Sequence, residues 1–282
     1  MKSIPDLDWF IDHWLNEDIN EGDYTTLCTV PEDTKGSAVL LVKQAGVIAG
    51  ISVAERIMKR FDSTLEWESR LKDGGTVSVG ALVFSVRGRI RSILHCERLV
   101  LNVMQRMSGI ATTTREYVDL IDGTGATILD TRKTTPGFRF LEKEAVRLGG
   151  GGNHRFGLYD MILIKDNHVD YAGGIINAVL STHKYLADHK LDLKIEIETR
   201  SLDDVKSVLE IGGVDRIMLD NFTPELTRKA VELIGGRVET ESSGRITREN
   251  IRDYAESGVN YISVGALTHQ IKSLDLSLKA LK

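Results

Sequence analysis

Residues 130–168 read DTRKTTPGFRFLEKEAVRLGGGGNHRFGLYDMILIKDNH, a stretch rich in charge. It gathers seven cations (Arg132, Lys133, Arg139, Lys143, Arg147, Arg155, Lys165) against five anions (Asp130, Glu142, Glu144, Asp160, Asp166), in a chain whose net charge is −5. His154 and His168 come in addition. Arg132 and Lys133 directly follow Thr127-Ile128-Leu129, and Lys165 directly follows Met161-Ile162-Leu163-Ile164. Short apolar runs with β-branched residues, separated by a helical pattern, read as buried parallel strands. Cations just past the ends of two such strands converge where α/β folds keep their ligands. One Lys-Arg pair alone would read as a solvated basic face. Two strand ends with Asn153-His154-Arg155 between them favour a pocket for a polyanion.

Downstream, the alternation continues. Apolar strands begin near Thr127, Met161, Lys194, Arg216, Arg237 and Tyr261, with helical patterns between them. Ser201 with Asp204, and Thr223 followed by Pro224 and Glu225, are helix caps; Gly212, Gly235 and Gly258 sit where helices stop. Such βα units without hairpin signals imply a parallel sheet, closed as a barrel or doubly wound. The glycines at 149–152 fall at a helix end, so they are no dinucleotide fingerprint. The strand ends carry Thr131-Arg132-Lys133, Lys165, Glu196/Glu198, Asp220-Asn221, Ser243-Gly244 and Gly265-Ala266. In a barrel these share one rim, and we read that rim as an active site.

Upstream, Leu7, Phe10, Ile11, Trp14 and Leu15 predict an amphipathic helix over 6–16, followed by an acidic loop from Glu17 to Thr26. Short strands then run from Gly36 to Gly88, with a turn at Asp73-Gly74-Gly75 and a helix around Val53–Phe61, an α+β pattern. A long, broadly apolar helix opens at Ser92, breaks at Gly109 and resumes over Ala111–Ile121; it suits a domain junction or a subunit interface. The 282 residues, 41% hydrophobic and 27% charged, make one or two soluble globular domains. No run reaches the ~18 apolar residues of a membrane helix, and MKSIPDLDWF lacks the layout of a signal peptide. Cys28 and Cys96 are too few for a disulfide framework, so the expected location is the reducing cytoplasm. The net negative charge argues against a nucleic-acid partner.

The rim offers Arg and Lys for phosphates and carboxylates. Glu198 and Asp220 suit ribose hydroxyls or a Mg²⁺ that also holds pyrophosphate oxygens. Ser243-Gly244 and Gly265-Ala266, each followed by a helix, match the phosphate site of barrels. No Ser-His-Asp spacing or activated Cys points to nucleophilic catalysis.

Nearly the whole chain resembles the quinolinate phosphoribosyltransferase family, the carboxylating nicotinate-nucleotide pyrophosphorylases. The resemblance rests on Glu17-Asp18-Ile19, Gly22-Asp23 with Thr25-Thr26, Glu97-Arg98, Gln105 through Thr112, Asp130 through Gly137, Gly150 through Arg155, Leu158-Tyr159-Asp160, Ile164 through His168, Leu219 through Phe222 and Ser263 through His269. It implies an incomplete parallel α/β barrel with an N-terminal α+β sandwich domain, over 113–282 and 1–112, the last helix able to pack on the first domain. It implies phosphoribosyl transfer from PRPP to quinolinate with loss of CO₂ and pyrophosphate, in a homodimer, with no nucleic acid and no membrane. Carried over residue by residue, Arg132, His154 and Arg155 would grip quinolinate, joined by Arg106 from the other subunit, and Thr131 would be among the substrate-binding residues. Lys133 and Lys165 would serve the PRPP phosphates and the reaction centre. Glu198 and Asp220 would hold ribose and Mg²⁺, and Ser243, Gly244, Gly265 and His269 the 5′-phosphate. Arg245 departs from the pattern, standing where the family more often has a second glycine.

His13, His95, His183 and His189 read as structural or surface residues, His168 as a strand-end cap or a site residue, and Glu196 as a possible neighbour of Glu198 on the same strand face. A molybdenum-transport-associated sister family shares the fold but not the full Asn153-His154-Arg155 and Lys165-to-His168 runs. A non-catalytic barrel binding a phosphorylated ligand is the alternative of another class.

Overall fold

The computed structural model describes residues 6–281; Met1–Pro5 and Lys282, which belong to the sequence-derived domain ranges, lie outside them. The chain forms two compact units, Met1–Arg115 with Thr135–Gly150 and His269–Lys282, and Glu116–Thr134 with Gly151–Thr268.

In the first unit, α1 (Leu7–Ile19) runs past the predicted end at 16, and α2 (Tyr24–Thr29) replaces the second half of the expected acidic loop. Asp23 starts α2 by accepting the Thr26 N–H at 3.0 Å. β1 (Lys35–Val42), β2 (Gly46–Val47), α3 (Ile51–Phe61), β3 (Glu66–Ser69), β4 (Thr76–Val77) and β5 (Leu82–Arg89) follow, then α4 (Ile90–Leu120). The Asp73-Gly74-Gly75 turn does a second job: Asp73 Oδ1 accepts the Ile51 N–H at 2.8 Å, capping α3 where Gly50 has no side chain to do so. α5 (Arg139–Leu148) and β12 (Leu276–Leu281) complete the unit. The antiparallel sheet has the order β12-β1-β5-β3. The C-terminal segment thus enters as a strand paired to β1, where the sequence reading has a helix.

The predicted break at Gly109 is absent; α4 is continuous. A Cβ on Gly109 would overlap the Lys272 carbonyl, so the glycine is there for close backbone approach and not to end the helix. Three of the seven cations of the opening stretch, Arg139, Lys143 and Arg147, ride α5 in this unit, Lys143 buried and Arg147 paired with Glu144 at 2.5 Å.

The second unit holds β6 (Thr127–Leu129), β7 (Ile162–Ile164), α6 (Asp166–Ala172), α7 (Ile175–His189), β8 (Ile195–Thr199), α8 (Leu202–Ile211), β9 (Arg216–Asp220), α9 (Pro224–Ile234), β10 (Glu239–Ser243), α10 (Ile251–Ala255), β11 (Tyr261–Ser263) and α11 (Ala266–His269), the last residue of α11 falling in the first unit. The six strands pair in parallel in the order β6-β11-β10-β9-β8-β7. This is a barrel left open between its first and second strands. Ser201 and Thr223 cap α8 and α9 as their sequence context predicts, and Gly212 and Gly235 end them.

Alternation in the strands assigns the sides. Ile195 and Ile197 are buried on one face of β8, leaving Glu196 and Glu198 on the other. Arg216 and Asp220 on β9, with Glu239, Glu241 and Ser243 on β10, share that face, as their mutual contacts require. The barrel interior is therefore ionic where barrels are commonly filled with Val, Ile and Leu.

Candidate active site

The rim begins at Asp130, fully buried after β6. Asp130 Oδ1 accepts the His154 N–H at 2.9 Å and Oδ2 accepts Asn153 Nδ2 at 2.7 Å, which ties the Asn153-His154-Arg155 loop to the β6 end. In the sequence Asp130 stands only as a charge; its place between an apolar strand and Thr131 is the signal of a buried role. Next along the chain, Thr131 Oγ1 accepts the Lys133 N–H at 3.0 Å, and the Lys133 carbonyl accepts from Thr268 at 2.8 Å. The Lys133 side chain is exposed.

Arg132 Nε is buried without a hydrogen-bond partner. Arg155 lies beside it and donates from Nη1 to the Met161 carbonyl at 3.2 Å. Burial, and then the Arg132 charge, lower the Arg155 pKa, although the guanidinium remains protonated. Two neighbouring guanidiniums, one with a buried N–H left unmatched, form a site for an anion with more than one acceptor.

Across the open edge, Lys165 Nζ makes an ion pair with Glu198 Oε1, and the Asp166 N–H approaches Glu198 Oε2 at 3.3 Å. His168 turns out to be a cap: its Nδ1 accepts the Lys165 N–H at 2.8 Å at the start of α6. Asp220 at the end of β9 takes the Ser243 hydroxyl at 2.9 Å on Oδ1 and Asn221 Nδ2 at 2.7 Å on Oδ2. Gly244 has φ +86°, and a Cβ there would overlap Asn221 Oδ1. Arg245, exposed, also adopts the left-handed region at φ 55°, which is the conformational reason a glycine suits this position. Gly265 precedes α11 and its carbonyl accepts the Thr268 N–H at 3.2 Å.

Two assigned residues belong to the first unit. His269 ends α11 and is exposed. Arg106 on α4 binds the fully buried Glu142 through Nε at 2.8 Å and Nη2 at 2.5 Å, and Nη2 also reaches Thr135 Oγ1 at 2.8 Å. A partly buried Arg on a broadly apolar helix needs an anion from elsewhere. Glu142 of the same chain supplies one.

Below the rim, Glu196 and Glu241 are both fully buried. Burial pushes each carboxyl up to about 7. For Glu241 the Glu196 charge adds to the rise while His154 and then Arg216 oppose it, and Arg216 opposes it for Glu196 as well. Arg216 Nη1 lies 2.8 Å from Glu241 Oε2 and 3.9 Å from Glu196 Oε2, and its Nη2 lies 3.1 Å from Glu239. Burial disfavours the Arg216 cation, but Glu196 and Glu241 outweigh that and raise its pKa. The His154 ring, its side chain 6% exposed, points down into this group and not out of the rim. His154, Glu196 and Glu241 are the one set of three possible metal-ligating side chains that converge among the described residues. Glu198 and Asp220 form no closed cage of that kind. Each is already engaged by a neighbouring donor yet keeps lone pairs at the rim, a donor set that fits a Mg²⁺ held largely by substrate oxygens.

Fold and rim define a class: an open α/β barrel whose C-terminal strand ends take a small substrate bearing several negative charges. The chain belongs to the quinolinate phosphoribosyl transferase family. The N-terminal domain of that family matches residues 23–108 and the C-terminal domain residues 110–279. The chain is 47% identical to the chloroplastic carboxylating nicotinate-nucleotide pyrophosphorylase of Oryza sativa subsp. japonica, covering 97% of this chain and 77% of that one. It is 41% identical to the probable carboxylating nicotinate-nucleotide pyrophosphorylase of Bacillus subtilis, over 95% and 91%. The crystal structure of NadC from Streptococcus pyogenes superposes with a TM-score of 0.93 at 38% identity, covering 100% of both chains.

Proposed function

We propose that this chain transfers phosphoribose from PRPP to quinolinate, with decarboxylation, releasing nicotinate mononucleotide, CO₂ and pyrophosphate. Beyond family membership, the observation that carries the reading is the Arg132–Arg155 pair with its unmatched buried Nε, which suits adjacent carboxylates on one ring. Thr131 stands beside it at the β6 end. Lys133 and Lys165 supply charge for the departing pyrophosphate, and Glu198 and Asp220 face the ribose, where positive charge develops as the leaving group departs. Asp220 and Glu198 would hold Mg²⁺, which when bound neutralises pyrophosphate oxygens. Ser243, Gly244, Gly265 and His269 are assigned to the 5′-phosphate end, where Gly244 takes a left-handed turn that leaves no room for a Cβ. Among the described residues no helix is long and apolar enough to cross a membrane. We place the enzyme in the cytoplasm, in keeping with two cysteines that form no disulfide.

Substrate choice tests the reading. Nicotinate lacks one of the two carboxylates, so a buried guanidinium N–H would stay unpaired, and kcat/KM for nicotinate should fall by roughly 10³-fold or more. Comparable values for the two acids would remove the carboxylate-pair assignment.

We further propose a homodimer in which Arg106 completes the partner's site, with Glu142 holding the guanidinium side-on. Arg106→Ala and Lys133→Ala should each be nearly inactive. Co-expressed, they should recover about a quarter of wild-type activity, because half the dimers carry one intact site in two. Mixed dimers as inactive as their parents would assign Arg106 to its own subunit.

A further inference from the structure

We propose that Glu196 and Glu241 are positioning residues for this reaction: they hold His154 as a neutral ring with its proton on Nε2, and the ring aims Arg155 at the bound dicarboxylate. The inference rests on reading the rim as a quinolinate site, and it changes His154 from a substrate ligand into a support for one.

The ring itself supplies the argument. His154 Nδ1 accepts the Arg155 backbone N–H at 2.7 Å, so Nδ1 carries a lone pair and no proton. The ring proton then resides on Nε2, which lies 3.1 Å from Glu196 Oε2 and 3.6 Å from Glu241 Oε1. A second proton, placed on Nδ1, would point at the Arg155 N–H and break that contact. An imidazole whose two nitrogens face its own backbone and two interior carboxylates is not presenting a cation to substrate.

Support for the ring continues downward. Arg216 Nη1 holds Glu241 Oε2 at 2.8 Å, and the guanidinium stacks over the Tyr261 ring at 3.9 Å from its centroid. Glu239 closes the network, accepting from Arg216 Nη2 at 3.1 Å and from the Tyr261 hydroxyl at 3.0 Å. A line of contacts therefore runs from β9 and β10 through Glu241 and Glu196 on β8 to His154, and from His154 to Arg155. Asp130 pins the same loop from β6. Buried ionic networks add little to stability against an apolar core of the same volume. This one is better explained by what it aims, since a guanidinium misplaced by about 1 Å loses much of its value in a preorganised site.

The test begins with ¹⁵N spectra of the full-length chain labelled at histidine, with the His154 signals assigned from His154→Gln. The ring should show one protonated and one bare nitrogen, in the Nε2–H pattern, and should keep it when saturated with quinolinate. An imidazolium or an Nδ1–H ring in either state overturns the proposal. Kinetics give a second arm. Glu196→Leu should raise the KM for quinolinate roughly 10-fold or more while the KM for PRPP and kcat stay within about 3-fold. Glu196→Gln keeps an oxygen facing Nε2, now 3.1 Å away, and should remain within about 3-fold of wild type for both substrates. A Gln variant as impaired as Leu, or a PRPP KM that rises in step, contradicts the positioning role. Wild-type protein that fails to turn over quinolinate would strike the substrate reading alone, and the tautomer spectrum would still decide this proposal.

Discussion

Arg245 shows what one residue can report. Its φ of 55° is a region where a β-carbon costs about 1 kcal/mol or more, and it sits next to Gly244 at φ 86°. Arg245→Gly should therefore raise stability to unfolding by up to about 1 kcal/mol, less the entropy glycine adds to the unfolded chain. If its charge serves the phosphate end, the same change raises the KM for PRPP and leaves that for quinolinate alone. A PRPP KM that does not move would make the side chain a bystander of the loop. Gly244→Ala should be costlier, because the new Cβ displaces Asn221, which donates to Asp220. A fall of about 10²-fold in kcat/KM for PRPP is expected, and wild-type kinetics would contradict the account. At this scale the sequence was informative wherever a polar residue followed an apolar strand, as with Arg132, Lys165 and Asp220. It was silent on Glu241 and Arg216. Charged residues inside short strands such as Glu239-Thr240-Glu241 carry no apolar period and read as solvent-facing.

At the scale of the element, α4 makes the clearest case. Helix propensity alone predicts that Gly109→Ala stabilises a mid-helix site by about 1 kcal/mol. The Lys272 carbonyl occupies the space the methyl needs, so the sign should reverse to a loss of about 1–3 kcal/mol, read from urea denaturation. A stabilised variant would mean that the backbone approach is not tight. The predicted break at Gly109 failed for this reason: a glycine required by a partner backbone and a glycine that ends a helix look alike in one sequence. The last strand failed differently. Leu276–Leu281 pairs with β1, more than two hundred residues away in sequence, and that long-range pairing sets its conformation over local propensity. Caps set by neighbouring residues, at Ser201 and Thr223, were legible because their partners lie within one turn.

Over the whole molecule, two buried carboxylate groups give stability opposite slopes with pH. Burial opposes ionisation of Asp62, but hydrogen bonds from Thr64, Ser92 and Arg89 win and hold its pKa well below the ordinary value, so its contribution is lost as pH falls below 3.8. Glu196 and Glu241 are raised from 4.5 to about 7. Between those values the folded chain binds more protons than the unfolded chain, so stability falls as pH rises through this window and levels off above it. Glu241→Gln should shrink the difference in unfolding free energy between pH 5 and pH 8 by roughly 1 kcal/mol or more, and an unchanged difference would mean the pair does not titrate there. The parallel sheet and its rim were legible at this scale because strand, cation and cap recur in each βα unit; the ionic interior was not, because its members come from three strands and meet only in the fold. The most direct test of the central claim, decarboxylating phosphoribosyl transfer, is release of ¹⁴CO₂ from quinolinate labelled in the 2-carboxylate. Labelled CO₂ should appear only with PRPP present and should match pyrophosphate one for one. Binding of both compounds without CO₂, or CO₂ without pyrophosphate, would contradict that claim.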